Sequence, residues 1–284
     1  MAAVPAQAAP GEQECPAVAV LAARGSGQSD FLDSTSYSPG SRWVSNGYEE
    51  ENLRAFFHYV ESRHPGLFHN VPVVALDDAA YPASKPIPEL VPRGEEASAA
   101  QVAQRMGEIL SSTPPHVIAG DAAFGFYNGM TTGIQKAVPF LDTWEEETGC
   151  APGYLLVGYS QGAVVLTAQE RKLQERGQLV GSLYLGNPLA QVGDSTVVGA
   201  PTGGNGMLSG VPVLSSEWRA ASISNRLNYC ASGDFACDLS WQSVTTSLSS
   251  AGGIHSDYFL EANRHDAEVA DTFAEWVTGY NPNP

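Results

Sequence analysis

Residues 154–166 read Y-L-L-V-G-Y-S-Q-G-A-V-V-L. The first six, 154–159, are an unbroken apolar run of strand length, and residues 161–176 follow as a helical pattern with few breakers. A strand therefore passes into a helix through Ser160. Gly158 and Gly162 flank that serine as G-x-S-x-G and allow close backbone approach on both sides. The turn pushes Ser160 out at a helix N-terminus, where unpaired N–H groups can hold a developing negative charge. In this strand–turn–helix setting the motif marks a nucleophilic serine. The competing reading is an ordinary structural serine.

Outward from this turn, strands and helices alternate. Residues 17–23, A-V-A-V-L-A-A, form an apolar strand that ends in the turn signal R-G-S-G. Residues 71–76 form another, where Pro72 indicates an edge or a strand start. Residues 180–185 and 226–230 complete the strands. Helical spacing covers 49–63 (Leu53, Phe56, Phe57, Val60) and 97–110 (Val102, Met106, Ile109, Leu110). It recurs over 131–148, interrupted near Pro139, and over 263–277. Residues 82–92 hold four prolines and 199–210 hold five glycines, so both are loops. The alternation predicts an α/β fold, a central parallel sheet flanked by helices on both faces. No repeat and no linker divides the chain. A single domain over 13–284 is expected, after a disordered segment 1–12, with an inserted lid or side lobe at 79–149.

Composition narrows the function classes. With 43% hydrophobic residues over 284 positions, the chain can build a full core. Lys+Arg 14 against Asp+Glu 31 gives a net charge of −17, and no basic run is present. Nothing there would neutralise phosphates, which excludes a nucleic-acid binder, and an anionic membrane surface would repel the chain. No stretch approaches the roughly 18 apolar residues of a membrane span. The opening M-A-A-V-P-A-Q-A-A-P has Ala-x-Ala spacings but no basic or long apolar region. It reads as the end of a trimmed signal peptide behind a start Met, against the alternative of an ordinary terminus. Four cysteines, Cys15, Cys150, Cys230 and Cys237, suit two disulfides in an exported protein, with three possible connectivities. Their spacing is poor for a metal. A local Cys230–Cys237 bridge would clamp A-S-G-D-F-A and leave Cys15 for Cys150.

A nucleophilic serine needs a base and an orienting acid, and in α/β-hydrolase-like sheets they follow in the order Ser, Asp/Glu, His. Asp194, Asp234, Asp238 and Asp257 lie downstream of Ser160. Asp234, inside the Cys230–Cys237 segment, is the first choice because a closed loop would fix its carboxylate; Asp238, just outside, comes second. Two histidines follow: His255, in a loop after Gly252 and Gly253, and His265, in the first turn of the last helix. A loop at the sheet edge favours His255 as base. For the oxyanion, the N–H of Gln161 is one donor. Parallel topology brings the end of the first strand to the same edge, so Ser26 supplies a second, against a plain tight turn.

These residues together resemble the cutinase family of serine esterases. The resemblance rests on Cys15 before the first strand, A-R-G-S-G after it, Cys150 ahead of G-Y-S-Q-G-A, then C-A-S-G-D-F-A-C and H-S-D-Y. It covers about 15–76 and 149–277. It implies a cutinase-like α/β-hydrolase with Cys15–Cys150 and Cys230–Cys237 disulfides. The implied nucleophile is Ser160, the acid Asp234, the base His255 (through H-x-x-Y with Tyr258) and the oxyanion serine Ser26. Segments 79–149 and 186–222 exceed a small cutinase. L-Y-L-G-N-P-L followed by a Gly-rich loop is similar to mycobacteriophage lysin B proteins and mycolate-ester hydrolases.

The expected function is a secreted esterase, acting as a monomer on cutin-like polyester or lipid esters, without cofactor or metal. The alternatives are a mycolate-ester hydrolase, a serine peptidase and, remotely, a non-catalytic lipid- or glycan-binding protein. Asp77, Asp78 and Asp257 offer oxygens to a calcium ion, but no ligand loop is visible.

Overall fold

The computed structural model describes residues 14–28, 32–84, 115–199, 203–215, 223–249 and 253–281, together with 101, 104, 105 and 108. The N-terminal segment 1–12, most of the 82–92 loop and most of the 97–110 helix lie outside the described residues. Among the described residues six strands run β1 Val18–Ala23, β2 Val73–Ala75, β3 Gly153–Tyr159, β4 Leu179–Leu185, β5 Val197–Gly199 and β6 Arg226–Cys230. They form one parallel sheet in the order β2-β1-β3-β4-β6-β5. Helices are α1 Glu50–Arg63, α2 Pro115–Thr148, α3 Gln161–Thr167, α4 Glu170–Glu175, α5 Trp241–Ser249, α6 Gly253–Ser256 and α7 Asp266–Gly279.

A strand buried on both faces must be apolar at every position, and β1 is buried throughout. Its alternate residues serve two cores. Val18, Val20 and Ala22 pack with Phe56, Phe57 and Val60 of α1 and Phe273 of α7. Ala19, Leu21 and Ala23 pack with Val164 and Val165 of α3 and Met130, Ala137 and Leu141 of α2. β2 is an edge strand. It starts after Pro72, whose carbonyl accepts Val20 N–H at 2.8 Å while the missing proline N–H leaves no ladder position empty.

The order reverses between β1 and β3: from β1 the chain builds outward to β2, and from β3 it builds the other way. Loops leaving the C-terminal ends of β1 and β3 therefore part at this switch point and open a crevice. The turns carrying Ser26 and Ser160 both lie there, since Ala23 is paired with Gly158.

Several elements differ from the sequence expectation, among them α5, which covers residues where no helix is expected. The helix expected at 131–148 starts at Pro115 and passes through Pro139. Pro139 and Gln135 both face solvent, so the carbonyl freed by the missing N–H sits where water reaches it. The helix expected at 161–176 breaks at 168–169. Buried Gln169 causes this: its Nε2 donates to Val165 O at 3.0 Å and to Ile134 O of α2 at 3.1 Å. Its own N–H turns back to Leu166 O instead. Finally β5 is a short strand with no sequence signal.

Candidate active site

Ser160 is the residue between β3 and α3, with φ 53° and ψ −118°. A non-glycine side chain is strained there, and the surroundings hold it in place. Ser160 N–H donates to Leu185 O at 2.9 Å. Gly162 lets α3 approach the end of β1, because a Cβ on it would stand 2.0 Å from Ala23 O. The same strand–helix contact that shapes the Ser160 turn thus presses α3 against the turn carrying Ser26.

His255 reaches Ser160 from the C-terminal part of the chain. Its Nε2 lies 2.9 Å from Ser160 Oγ, and its Nδ1 lies 2.9 and 3.0 Å from the Asp234 oxygens. It occupies the four-residue helix α6, not the loop expected from the sequence. Gly252 and Gly253 read as breakers, but Gly253 opens a single helical turn. Tyr159 OH donates to His255 O at 2.7 Å and so anchors this turn to the strand before Ser160.

Asp234 is fully buried in the turn after β6. Its Oδ1 accepts Ala236 N–H at 2.8 Å, and its Oδ2 accepts Tyr258 OH at 2.6 Å. Burial works against its charge, but attraction to His255 and the hydrogen bonds from His255, Tyr258 and Ala236 outweigh it and hold its pKa below the ordinary value. Burial, followed by the Asp234 charge, raises the Tyr258 pKa well above that of a free tyrosine, so the hydroxyl stays a donor. An ionised carboxylate only accepts, so His255 Nδ1 carries the proton. Nε2 is then an acceptor aimed at Ser160 Oγ–H.

Disulfides join Cys15 to Cys150 and Cys230 to Cys237. The shorter one encloses Asp234. Opening it with Cys230→Ser and Cys237→Ser removes roughly 2–3 kcal/mol of loop restriction in the chain-entropy view, against about 5 kcal/mol for the long bridge. The short-loop variant should therefore lose more turnover than stability, and the Cys15→Ser, Cys150→Ser variant the reverse. Turnover and unfolding midpoint of both, under oxidising conditions, check this; full activity in the short-loop variant would refute the clamp.

The other candidates are engaged elsewhere. Asp238 accepts Gly204 N–H at 2.6 Å, and Asp194 accepts Thr196 N–H at 2.8 Å. His265 lies on the surface beside Arg264 and Glu268. Asp77 accepts Ala80 N–H at 2.8 Å, and Asp78 pairs with Arg24. Among the described residues no group of acidic, His or Cys side chains is placed to hold a metal ion. The Gln161 side chain is tied back, accepting Tyr81 OH at 2.8 Å and donating to Phe126 O at 2.7 Å, which leaves its backbone at the mouth of the turn.

Sequence reasoning passed over two supports. Arg24, fully buried, donates to Gln28 O and Leu76 O at 2.7 Å each, and to Tyr81 O at 3.0 Å, stapling the exit of β1 to that of β2. Only its place inside A-R-G-S-G hinted at this. Gly186, after β4, has φ +56°, and a Cβ there would meet Asp234 Oδ2 and His255 Cε1, each at 2.9 Å. Gly186→Ala should displace the pair and lower kcat on the order of a hundredfold in a folded protein. Turnover within about twofold of wild type would show that the pair yields to the methyl group.

No family model and no curated protein matches the sequence. Among solved structures, an iodinated complex of acetyl xylan esterase aligns with 93% of this chain and 100% of its own, at 15% identity and a TM-score of 0.50. The two share the α/β-hydrolase fold. A cutinase-like protein from Cryptococcus sp. aligns with 93% of this chain and 96% of its own, at 15% identity and a TM-score of 0.48. Lysin B from Mycobacteriophage D29 aligns with 93% and 90%, at 13% identity and 0.40. In open parallel α/β sheets ligands bind in the crevice where the strand order reverses, and Ser160 stands at that crevice of this sheet.

Proposed function

We propose that this protein is a serine esterase that hydrolyses carboxylic esters through an acyl-enzyme. The hydrogen-bonded line from Ser160 Oγ through His255 to Asp234 carries the reading. Ser160 Oγ attacks the ester carbonyl as His255 Nε2 takes its proton. The backbone N–H of Gln161 and Ser26 hold the oxyanion. His255 returns the proton to the leaving alkoxide as the C–O bond breaks. Water then attacks the acyl-enzyme with His255 again as base, releasing the acid and restoring Ser160. Asp234 keeps the imidazole in the required tautomer and stabilises the imidazolium.

For the substrate we favour apolar esters, cutin-like polyester or lipid. Phe124 and Tyr127 are exposed on α2, flanking Phe126, whose carbonyl holds the Gln161 side chain. Two disulfides support secretion, because they persist in oxidising compartments. Labelling with a fluorophosphonate, with the adduct mapped by mass spectrometry, tests the nucleophile. Turnover of p-nitrophenyl esters of rising chain length, of cutin and of trehalose mycolates tests the substrate. A label on Ser160 with longer chains preferred is expected. Absence of both labelling and turnover rejects the enzyme, and preference for acetyl groups rejects the apolar substrate.

A further inference from the structure

The turn after β1 and the segment around His255 lie at opposite ends of the sequence, yet a single file of buried amides joins them. Gly25 N–H donates to Gln28 Oε1 at 2.7 Å. Gln28 Nε2 donates to Asn52 Oδ1 at 2.9 Å. Asn52 Nδ2 donates to Ser256 O at 2.7 Å and to Tyr258 O at 3.0 Å. Both amide side chains are buried, each 3% exposed. Their orientation is unambiguous: the file begins at a peptide N–H, which can only donate, and ends at two carbonyls, which can only accept. Reversing either amide would set donor against donor or acceptor against acceptor.

Asn52 lies in the first turn of α1, one residue before core Leu53. An apolar side chain would suit such a site unless the amide has a task, and a fully satisfied buried network is rigid. Its ends are adjacent to the two groups that must agree in position. Gly25 precedes Ser26, and Ser256 follows His255.

We propose that Gln28 and Asn52 are positioning residues that fix the spacing between the Ser26 turn and the His255 segment, so that oxyanion donor and base address the same carbonyl. This rests on the esterase reading above. The two amides then act as one unit, and cutting the file anywhere costs about the same.

The test uses Gln28→Met, Asn52→Leu and their combination, which roughly keep volume. A fourth variant, Gln28→Glu, retains an acceptor for Gly25 N–H but sets a carboxylate oxygen against Asn52 Oδ1, so it breaks the file at that one link by repulsion rather than by lost volume. The readouts are kcat per Ser160 titrated with the fluorophosphonate, KM, and amide hydrogen exchange. Each variant should lose roughly ten- to hundredfold in kcat with KM little changed, since small misplacements act on the reacting geometry. The double variant should be no worse than the poorer single one. Asn52→Leu should also speed exchange of the Gly25–Gly27 amides, which Asn52 does not touch. Losses that multiply in the double variant, or kcat per titrated site within about twofold of wild type despite a lower unfolding midpoint, reduce the pair to a structural role. If wild type hydrolyses no ester, the esterase reading fails, and the exchange of residues 25–27 still decides the relay: unchanged exchange in Asn52→Leu overturns it.

Discussion

Ser160→Ala is expected to leave the fold intact and to remove ester hydrolysis by several powers of ten. The backbone of position 160 is set by β3, by the bond from its N–H to Leu185 O and by Gly162 against Ala23, none of which involves the hydroxyl. Alanine meets the same φ of 53° that serine already tolerates. What disappears is the one oxygen 2.9 Å from His255 Nε2. His255→Ala should cost about as much, and combining the two should add little, because nucleophile and base act as a unit. Turnover of a p-nitrophenyl ester, with circular dichroism as the check on folding, measures this. Activity above about a tenth of wild type in Ser160→Ala would move the nucleophile elsewhere, given the loss expected for such a unit.

Asp234→Asn should cost on the order of 10⁴-fold in kcat, the scale known for this change in other serine hydrolases. The Asp234 carboxylate accepts from Tyr258 OH, Ala236 N–H and His255 Nδ1–H. An amide of the same shape has one accepting oxygen. Ala236 N–H can only donate and keeps the amide oxygen at the Oδ1 place, so the amide nitrogen takes the Oδ2 place, where the Tyr258 hydroxyl can turn to accept and the ring, 3.0 Å away, answers by moving its proton from Nδ1 to Nε2. Nε2–H then faces Ser160 Oγ as a donor and cannot take its proton. Asp238→Asn leaves this geometry alone, since Asp238 caps Gly204 N–H, and should change kcat little. The ratio of the two losses at neutral pH, and the ring ¹⁵N shifts that report the tautomer, test the argument. Equal losses would mean that the acid acts through loop order rather than through the imidazole.

The local sequence determined the strand–turn–helix around Ser160, the both-face apolar pattern of β1 and the alternation that requires a parallel sheet. Each of these follows from backbone geometry over a few residues, where period and glycine placement are readable directly. The residue types of a serine hydrolase, in their usual order, were also readable. Choosing Asp234 over Asp238 and His255 over His265 rested on a loop argument and a resemblance, and for His255 the loop is a helical turn. Distance settles what surrounds those residues: Asp234 and His255 are 21 positions apart, and Asn52 and Tyr258 are 206 apart. Their contacts exist only because the sheet order brings the ends of β1, β3 and β6 to one edge. The break at Gln169, the staple at Arg24 and the need for Gly186 are of the same kind. Each depends on which neighbour another element delivers, and no periodicity within a single element records that.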